Sequence, residues 1–160
     1  MSSLILRLAS PSEATSIALM SRELIESGLR GWSWDPQRVT RSIRAAHVNA
    51  LVATVEGHLV GFAIMEYGDT HAHLSLLAVT PSHQRRGIGK ELMAWLEESA
   101  LAAGIASINL ELRANNQTAH DFYRLLGYTQ TAYVHGYYNG VETAIRMSRD
   151  IRRQITHRIN

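Results

Sequence analysis

Gln84-Arg85-Arg86-Gly87-Ile88-Gly89 joins an apolar run to an amphipathic one. A turn of this kind, between a buried strand and a helix, leaves backbone N–H groups unpaired. It also sets guanidinium groups beside them and aims the positive helix end outward. That is chemistry for holding a phosphate or pyrophosphate. Two rival readings each lack a residue. A dinucleotide fold asks for a third glycine where Leu92 stands, and a P-loop asks for a hydroxyl where Glu91 follows Gly89-Lys90. A plain helix start that uses glycine for a tight turn stays open on this loop alone.

Two other positions could move protons. Glu111 alternates with Leu110 and Leu112, so it projects from the opposite face of its strand. It is a candidate base if part-burial raises its pKa; an ion pair with Arg113 on the same face is the competing reading. Asn116, Ala119 and Tyr123 fall on one helix face at four- and seven-residue spacings. A phenol with a pKa of about 10 can serve as a proton donor, although a tyrosine at helical spacing also serves as core. His71 and His73 alternate on a strand without a third metal ligand at a convincing spacing, so they read as ordinary strand histidines. His120 and His135 read as surface or hydrogen-bonded residues.

The elements that must position these groups follow from periodicity and punctuation. Leu4–Leu8 reads as a strand, Ser10-Pro11-Ser12-Glu13 starts a helix bearing Ile17, Met20, Leu24 and Ile25, and Gly28 ends it. After the loop Gly31–Pro36 comes a short helix through Val39 and Ile43. Strands at Ala50–Val55 and Leu59–Met65 are joined by Glu56-Gly57-His58, and a third spans His73–Val79. The helix after the glycine loop carries Ile88, Leu92, Trp95 and Leu96 and closes at Gly104. A strand at Ile108–Arg113, a helix near Asn116–Leu126 and strands near Tyr128–Val134 and Glu142–Met147 complete the order β-α-α-β-β-β-α-β-α-β-β. This is a mixed α/β domain whose sheet is not a regular doubly wound one.

Gln84–Gly89 and the later run Asn116-Gln117-Thr118-Ala119-His120-Asp121-Phe122-Tyr123-Arg124-Leu125-Leu126-Gly127-Tyr128 together resemble the GNAT superfamily of N-acetyltransferases. Leu110–Asn116 and Gly136-Tyr137-Tyr138-Asn139-Gly140 are similar to its ribosomal-protein alanine N-acetyltransferase branch. The resemblance implies a mostly antiparallel central sheet with helices on both faces, and acetyl-CoA as cosubstrate without a metal. It implies that Leu77, Ala78 and Val79 run beside the pantetheine arm, with an amide near Val79 polarising the thioester. Gln84, Arg85, Arg86, Gly87, Ile88, Gly89 and Lys90 would hold the pyrophosphate, with Asn116 and Tyr123 along the same ligand edge. It favours Glu111 as base, directly or through water, and Tyr123 as acid, in direct attack by an amine with no protein nucleophile. Trp32, Trp34, Tyr137 and Tyr138 would flank the acceptor; the two tryptophans serve equally as loop anchors. The implied acceptor is a protein or peptide α-amino group. A small amine such as a polyamine, amino acid or drug is the alternative, and a non-catalytic acetyl-CoA sensor the reading from another class.

Composition agrees with one domain over residues 1–149 and a polar basic tail at 150–160. The chain has 160 residues, 46% of them hydrophobic, with no cysteine and a formal net charge of +2. The absence of cysteine removes a disulfide frame and a thiolate zinc site. The arginines of the tail, Arg152, Arg153 and Arg158 among them, read as a solvated face rather than a nucleic-acid surface. No apolar run is long enough for a membrane span, and Met1-Ser2-Ser3 does not open a signal peptide, so a cytoplasmic location is the expectation. Monomer and homodimer remain open.

Overall fold

The computed structural model describes residues 3–153. β1 (Leu4–Leu8) leads through a 3-10 turn at Pro11–Glu13 to α1 (Ala14–Leu24) and α2 (Pro36–Arg44). Then follow β2 (Val48–Val55), β3 (His58–Tyr67), β4 (His71–Val79), a turn at Pro81–His83 and α3 (Ile88–Ala102). β5 (Ser107–Arg113), α4 (Gln117–Leu125), β6 (Thr129–Tyr138) and β7 (Glu142–Asp150) complete the fold. The seven strands form one sheet in the order β1-β2-β3-β4-β5-β7-β6, antiparallel except for the β4–β5 pair. The mixed α/β architecture agrees with the element order read from the sequence. α1 stops at Leu24 rather than at Gly28, because the Ser21 carbonyl accepts from both Ile25 and Glu26 N–H and the chain leaves the helix there.

Helices cover both faces of the sheet, over two separate cores. α1 and α2 bury Ile17, Ala18 and Val39 against Ala50, Val52, Phe62, Ile64, Leu76 and Ala78. α3 buries Leu92, Met93 and Leu96 on the other face, against Leu51, Ala63, Met65, Ala72 and Leu74, and α4 adds Tyr123 over Leu110, Leu112 and Met147. The residues of β4 in these two sets have the same sequence parity, which a regular strand forbids. Ser75 resolves it. Met65 pairs with Leu74 and Ile64 with Leu76, so Ser75 is an extra residue, and side chains beyond it change face.

The same point ends the pairing of β4 with β5, which runs only from His71–Leu74 opposite Ser107–Leu110. Beyond it the two strands part, and the Ser75–Val79 edge of β4 is open. The Thr80 N–H donates to Val60 O, so backbone alternation turns the Val79 N–H toward that opening. The α1–α2 core ends at β4, leaving Asn109, Glu111, Arg113 and Arg146 on an uncovered polar half of that face. At the C-terminal end, Asp150 closes β7, and Ile151 is buried with its N–H on Ala106 O. The rest of the expected tail, 154–160 with Arg158, lies outside the described residues.

Deleting Ser75 should force one of the two buried sets of β4 onto the wrong face. We expect a loss of more than about 3 kcal/mol, from misplaced Leu and Ala side chains. Ser75→Ala, which keeps the residue count, should cost less than about 1 kcal/mol. Urea unfolding of both variants checks this, and equal stability of the two would refute the parity argument.

Candidate active site

Gly87 takes φ +80°, the left-handed conformation that glycine accepts without strain, and starts α3 with no side-chain cap. The first backbone bond of the helix runs from Glu91 N–H to Gly87 C=O at 3.0 Å. No N–H from Arg85 to Lys90 has a backbone partner among the described residues. Arg85, Arg86 and Lys90 are exposed around this row of donors, and Arg85 itself has φ +63°. Gln84 turns back, its Nε2 donating to Val79 O at 2.9 Å, and so ties the loop to the end of β4. Ile88 is buried in the core and offers only its N–H. Leu77 and Val79 pack toward the α3 side, while Ala78 faces the α1–α2 core. Gly89 lies under α4: a Cβ there would stand 3.2 Å from Phe122 Cζ.

Across the sheet, Glu111 gathers three partners. His73 Nε2 lies 2.6 Å and Tyr137 OH 2.9 Å from Oε1, and Arg146 Nε lies 2.9 Å from Oε2. The Glu111 side chain is only 6% exposed. Burial by itself would lift its pKa, as the sequence reading expected. The hydrogen bonds from His73, Arg146 and Tyr137 and the charge of His73 overcome that effect and hold the carboxyl at about 2. The expected rise is therefore corrected to a fall. The competing ion pair with Arg113 does not form either, because Arg113 Nε pairs with Glu142 at 3.0 Å.

A carboxylate accepts, so His73 donates Nε2–H to Glu111, and Nδ1 is the ring nitrogen turned away from the carboxylate. That nitrogen faces Ser75 Oγ at 3.4 Å, at the bulge. The sequence reading passed over His73 because its partner lies 38 residues away; alternation on a strand was its only signal.

Tyr123 is buried in the α3–α4 core, edge-to-face with Phe122 at 5.0 Å and Tyr128 at 5.8 Å. Its hydroxyl has no protein partner among the described residues. Burial, reinforced by Tyr138, pushes the phenol well above its ordinary value of 10. Tyr128 differs: it donates to Glu97 at 2.9 Å, which also pairs with Arg149 at 2.7 Å. Asn116 uses its side-chain oxygen to cap α4, accepting from Ala119 N–H at 3.1 Å, and its NH2 group remains available to a ligand.

Two loops flank the Glu111 side. Between α1 and α2, the buried carboxylate of Glu26 accepts from Ser21 Oγ and from the N–H groups of Ser33 and Trp34. Trp32 donates its indole N–H to Ala18 O at 3.2 Å, with Arg22 5.1 Å from its ring centroid. Trp34 packs on the same core beneath Arg38, whose guanidinium sits 3.8 Å from the ring centroid. In the β6–β7 turn, Tyr137 and Tyr138 meet edge-to-face at 4.9 Å. Burial and the bond to Glu111 push Tyr137 up to about 12; burial also raises Tyr138, helped by Tyr137 and Glu111. Asn139 donates to Arg30 O, linking the two loops beside a cavity of about 160 Å³.

The family model described as the acetyltransferase (GNAT) family matches residues 17–128. The chain belongs to that family. It is 30% identical over 127 residues to the [ribosomal protein bS18]-alanine N-acetyltransferase of Escherichia coli K12, covering 78% of this chain and 85% of that protein. It is 29% identical over 107 residues to the N-terminal acetyltransferase B complex catalytic subunit naa20 of Schizosaccharomyces pombe. That match covers 67% of this chain and 59% of the relative. The Ard1 structure from Thermoplasma volcanium superposes with a TM-score of 0.81 at 27% identity, over 92% of this chain and 97% of that one.

As a GNAT member the chain is an acetyl-CoA-dependent N-acetyltransferase, and its residues fit that cosubstrate. The unpartnered N–H row and the surrounding cations suit a pyrophosphate, and the open β4 edge suits an extended amide-bearing arm. When bound, acetyl-CoA supplies the acetyl group as an activated thioester. Among the described residues, no cluster of three or more metal-ligating side chains occurs, and no helix is long and apolar enough to cross a membrane.

The low pKa of Glu111 makes a stability prediction. Its folded value of about 2 lies below the ordinary 4.5, so the stabilisation it brings is complete above about pH 4.5 and is lost as pH falls toward 2. Glu111→Gln should be less stable than the parent at pH 7, and that gap should narrow by pH 3 in urea titrations. A gap that stays constant with pH would mean the carboxylate is not held low.

Proposed function

We propose that the acceptor is the N-terminal α-amino group of a protein or peptide, entering between the α1–α2 loop and the β6–β7 turn to meet the thioester where β4 leaves β5. The observation that carries this reading is that the carboxylates of the acceptor face are already paired. Glu111 is matched by Arg146 and His73, and Glu142 by Arg113. A polyamine would need unpaired acids there. The bS18-alanine and naa20 relatives, whose names describe N-terminal acetylation, support the same choice.

In this reading an α-ammonium group, with a pKa of about 8, must lose a proton before it attacks. Glu111, held near 2, is too weak a base to take it alone. It acts as the anionic member of a pair with His73. It fixes the imidazole tautomer and balances its charge, while Nδ1 accepts the proton. An amide near Val79 donates to the carbonyl oxygen as negative charge builds there. Tyr123, kept protonated by burial, passes its proton to the departing thiolate and recovers one from the attacking nitrogen as the amide forms. Arg85 to Lys90 hold the pyrophosphate. Trp32 and Trp34 shape the acceptor wall from beneath, and Tyr137 and Tyr138 form its other side. One acetyltransferase domain over residues 1–149 carries these groups.

Transfer from labelled acetyl-CoA to a panel of peptides and small amines tests the acceptor; transfer to small amines alone would reject it. His73→Gln and Glu111→Gln should each lower kcat by about 100-fold. The double variant should be little worse, because the two act as one unit. Tyr123→Phe should lower kcat by about tenfold or more and leave the acetyl-CoA Kd within about twofold by calorimetry. Equal losses in kcat and in Kd would remove the acid assignment.

A further inference from the structure

Not every cation around the acceptor entrance has a direct ion-pair partner. Glu111 and Glu142 have cationic partners, and the Glu26 carboxylate is turned inward onto Ser21, Ser33 and Trp34. Two cations on the same rim have no carboxylate within ion-pair distance among the described residues: Arg30, which borders the cavity beside Tyr138, and Arg38. The acid nearest Arg38 in sequence, Asp35, spends Oδ1 on capping α2 and accepts the Arg38 backbone N–H at 2.9 Å.

Arg38 is also held in place. Its guanidinium carbon stands over Trp34, 3.8 Å from the ring centroid, and one nitrogen reaches Ser33 O at 3.4 Å. Trp34 in turn is fixed by the Glu26 carboxylate and by packing on the α1–α2 core. A stacked guanidinium keeps its N–H edge outward, and that edge matches a carboxylate bidentately. Arg38 stands on Trp34 of the α1–α2 loop, which Asn139 ties through Arg30 O to the β6–β7 turn whose Tyr137 hydroxyl contacts Glu111.

We infer that the acceptor carries a carboxylate one or two residues behind its amino group, and that Arg38 reads it. This rests on the peptide reading above. Successive Cα atoms of an extended chain lie about 3.8 Å apart. A side chain at the second or third position therefore reaches the rim while the amine stays at His73 and Glu111. A basic side chain at that point would meet Arg38 and Arg30 as like charges and be disfavoured.

The test uses the intact protein, acetyl-CoA and peptides identical except for Glu, Gln or Lys at the second or at the third position, with a small-amine control. The Glu peptide should exceed the Lys peptide by about fivefold or more in kcat/KM, mostly through KM, as expected for a part-exposed charge pair. The preference should shrink as salt rises. Arg38→Glu should invert the ranking, and Arg38→Gln should flatten it. A loop merely disturbed by the substitution would slow all the peptides alike, which would overturn the assignment. Peptides acetylated by the parent protein at equal rates, or with Lys preferred, would overturn the charge inference and leave the peptide reading standing. Acetylation of small amines only would overturn both.

Discussion

One extra residue in one strand governs the molecule. Ser75 lets β4 bury Ala72 and Leu74 under α3 and then Leu76 and Ala78 under α1 and α2. Without it, one pair would face the wrong core. The same residue marks where β4 and β5 separate, so the packing solution and the opening in the sheet have a single cause. A flat, fully paired sheet would bury its backbone donors in ladders and separate its two faces completely. Here the end of β4 keeps a free edge, and through that gap the anion cradle on the α3 side communicates with Glu111 on the other. Bulges are commonly found where a sheet must re-aim its side chains beside a site.

The two sides solve opposite electrostatic problems. The loop before α3 offers groups without a backbone partner among the described residues: a row of N–H donors at a helix start, with exposed cations around it. The acceptor side is internally satisfied. Glu111 is almost fully buried, and a lone buried carboxylate would take up a proton. Three donors keep it ionised instead. That stability limits its strength as a base, which is why the proposed proton acceptor is the histidine it holds rather than the carboxylate itself. The residue most visible on the strand thereby becomes the support of a less visible one.

What could be read in advance divides along the same line. The cradle was legible because its residues are contiguous, and Gly87 and Gly89 have roles that few other residues fill. The alternation around Glu111 was legible because it is local to β5. The bulge was not, since His71-Ala72-His73-Leu74-Ser75-Leu76-Leu77-Ala78-Val79 alternates well enough to pass for a regular strand. Its effect appears only in pairing with β3. The contacts of Glu111 with His73, Tyr137 and Arg146 span 26 to 38 residues and depend on sheet order. Burial, the one local clue to the pKa of Glu111, pointed upward; the partners that reverse it are nonlocal. The tryptophans were ambiguous for a similar reason, because only the positions of Arg22, Arg38 and Glu26 reveal which faces and N–H groups are occupied.

The two sequence motifs sit about thirty residues apart, yet they form one mechanical unit. Gly89, in the first turn of α3, presses on Phe122, and the Phe122 ring meets that of Tyr123 edge-on. A side chain at 89 would have to move Phe122, and with it the phenol one residue along α4. The glycine therefore has a second purpose beyond exposing backbone N–H groups, which is to bring α4 close enough for Tyr123 to lie near the opened edge of β4. Tyr128 locks the far end of this unit, edge-on to Tyr123 and bonded to Glu97 of α3. In the proposed chemistry the pyrophosphate grip and the proton donor to the thiolate ride on this single packed body. A rigid spacing between them fits a donor whose reactive sulfur stands at a fixed length of chain from its phosphates.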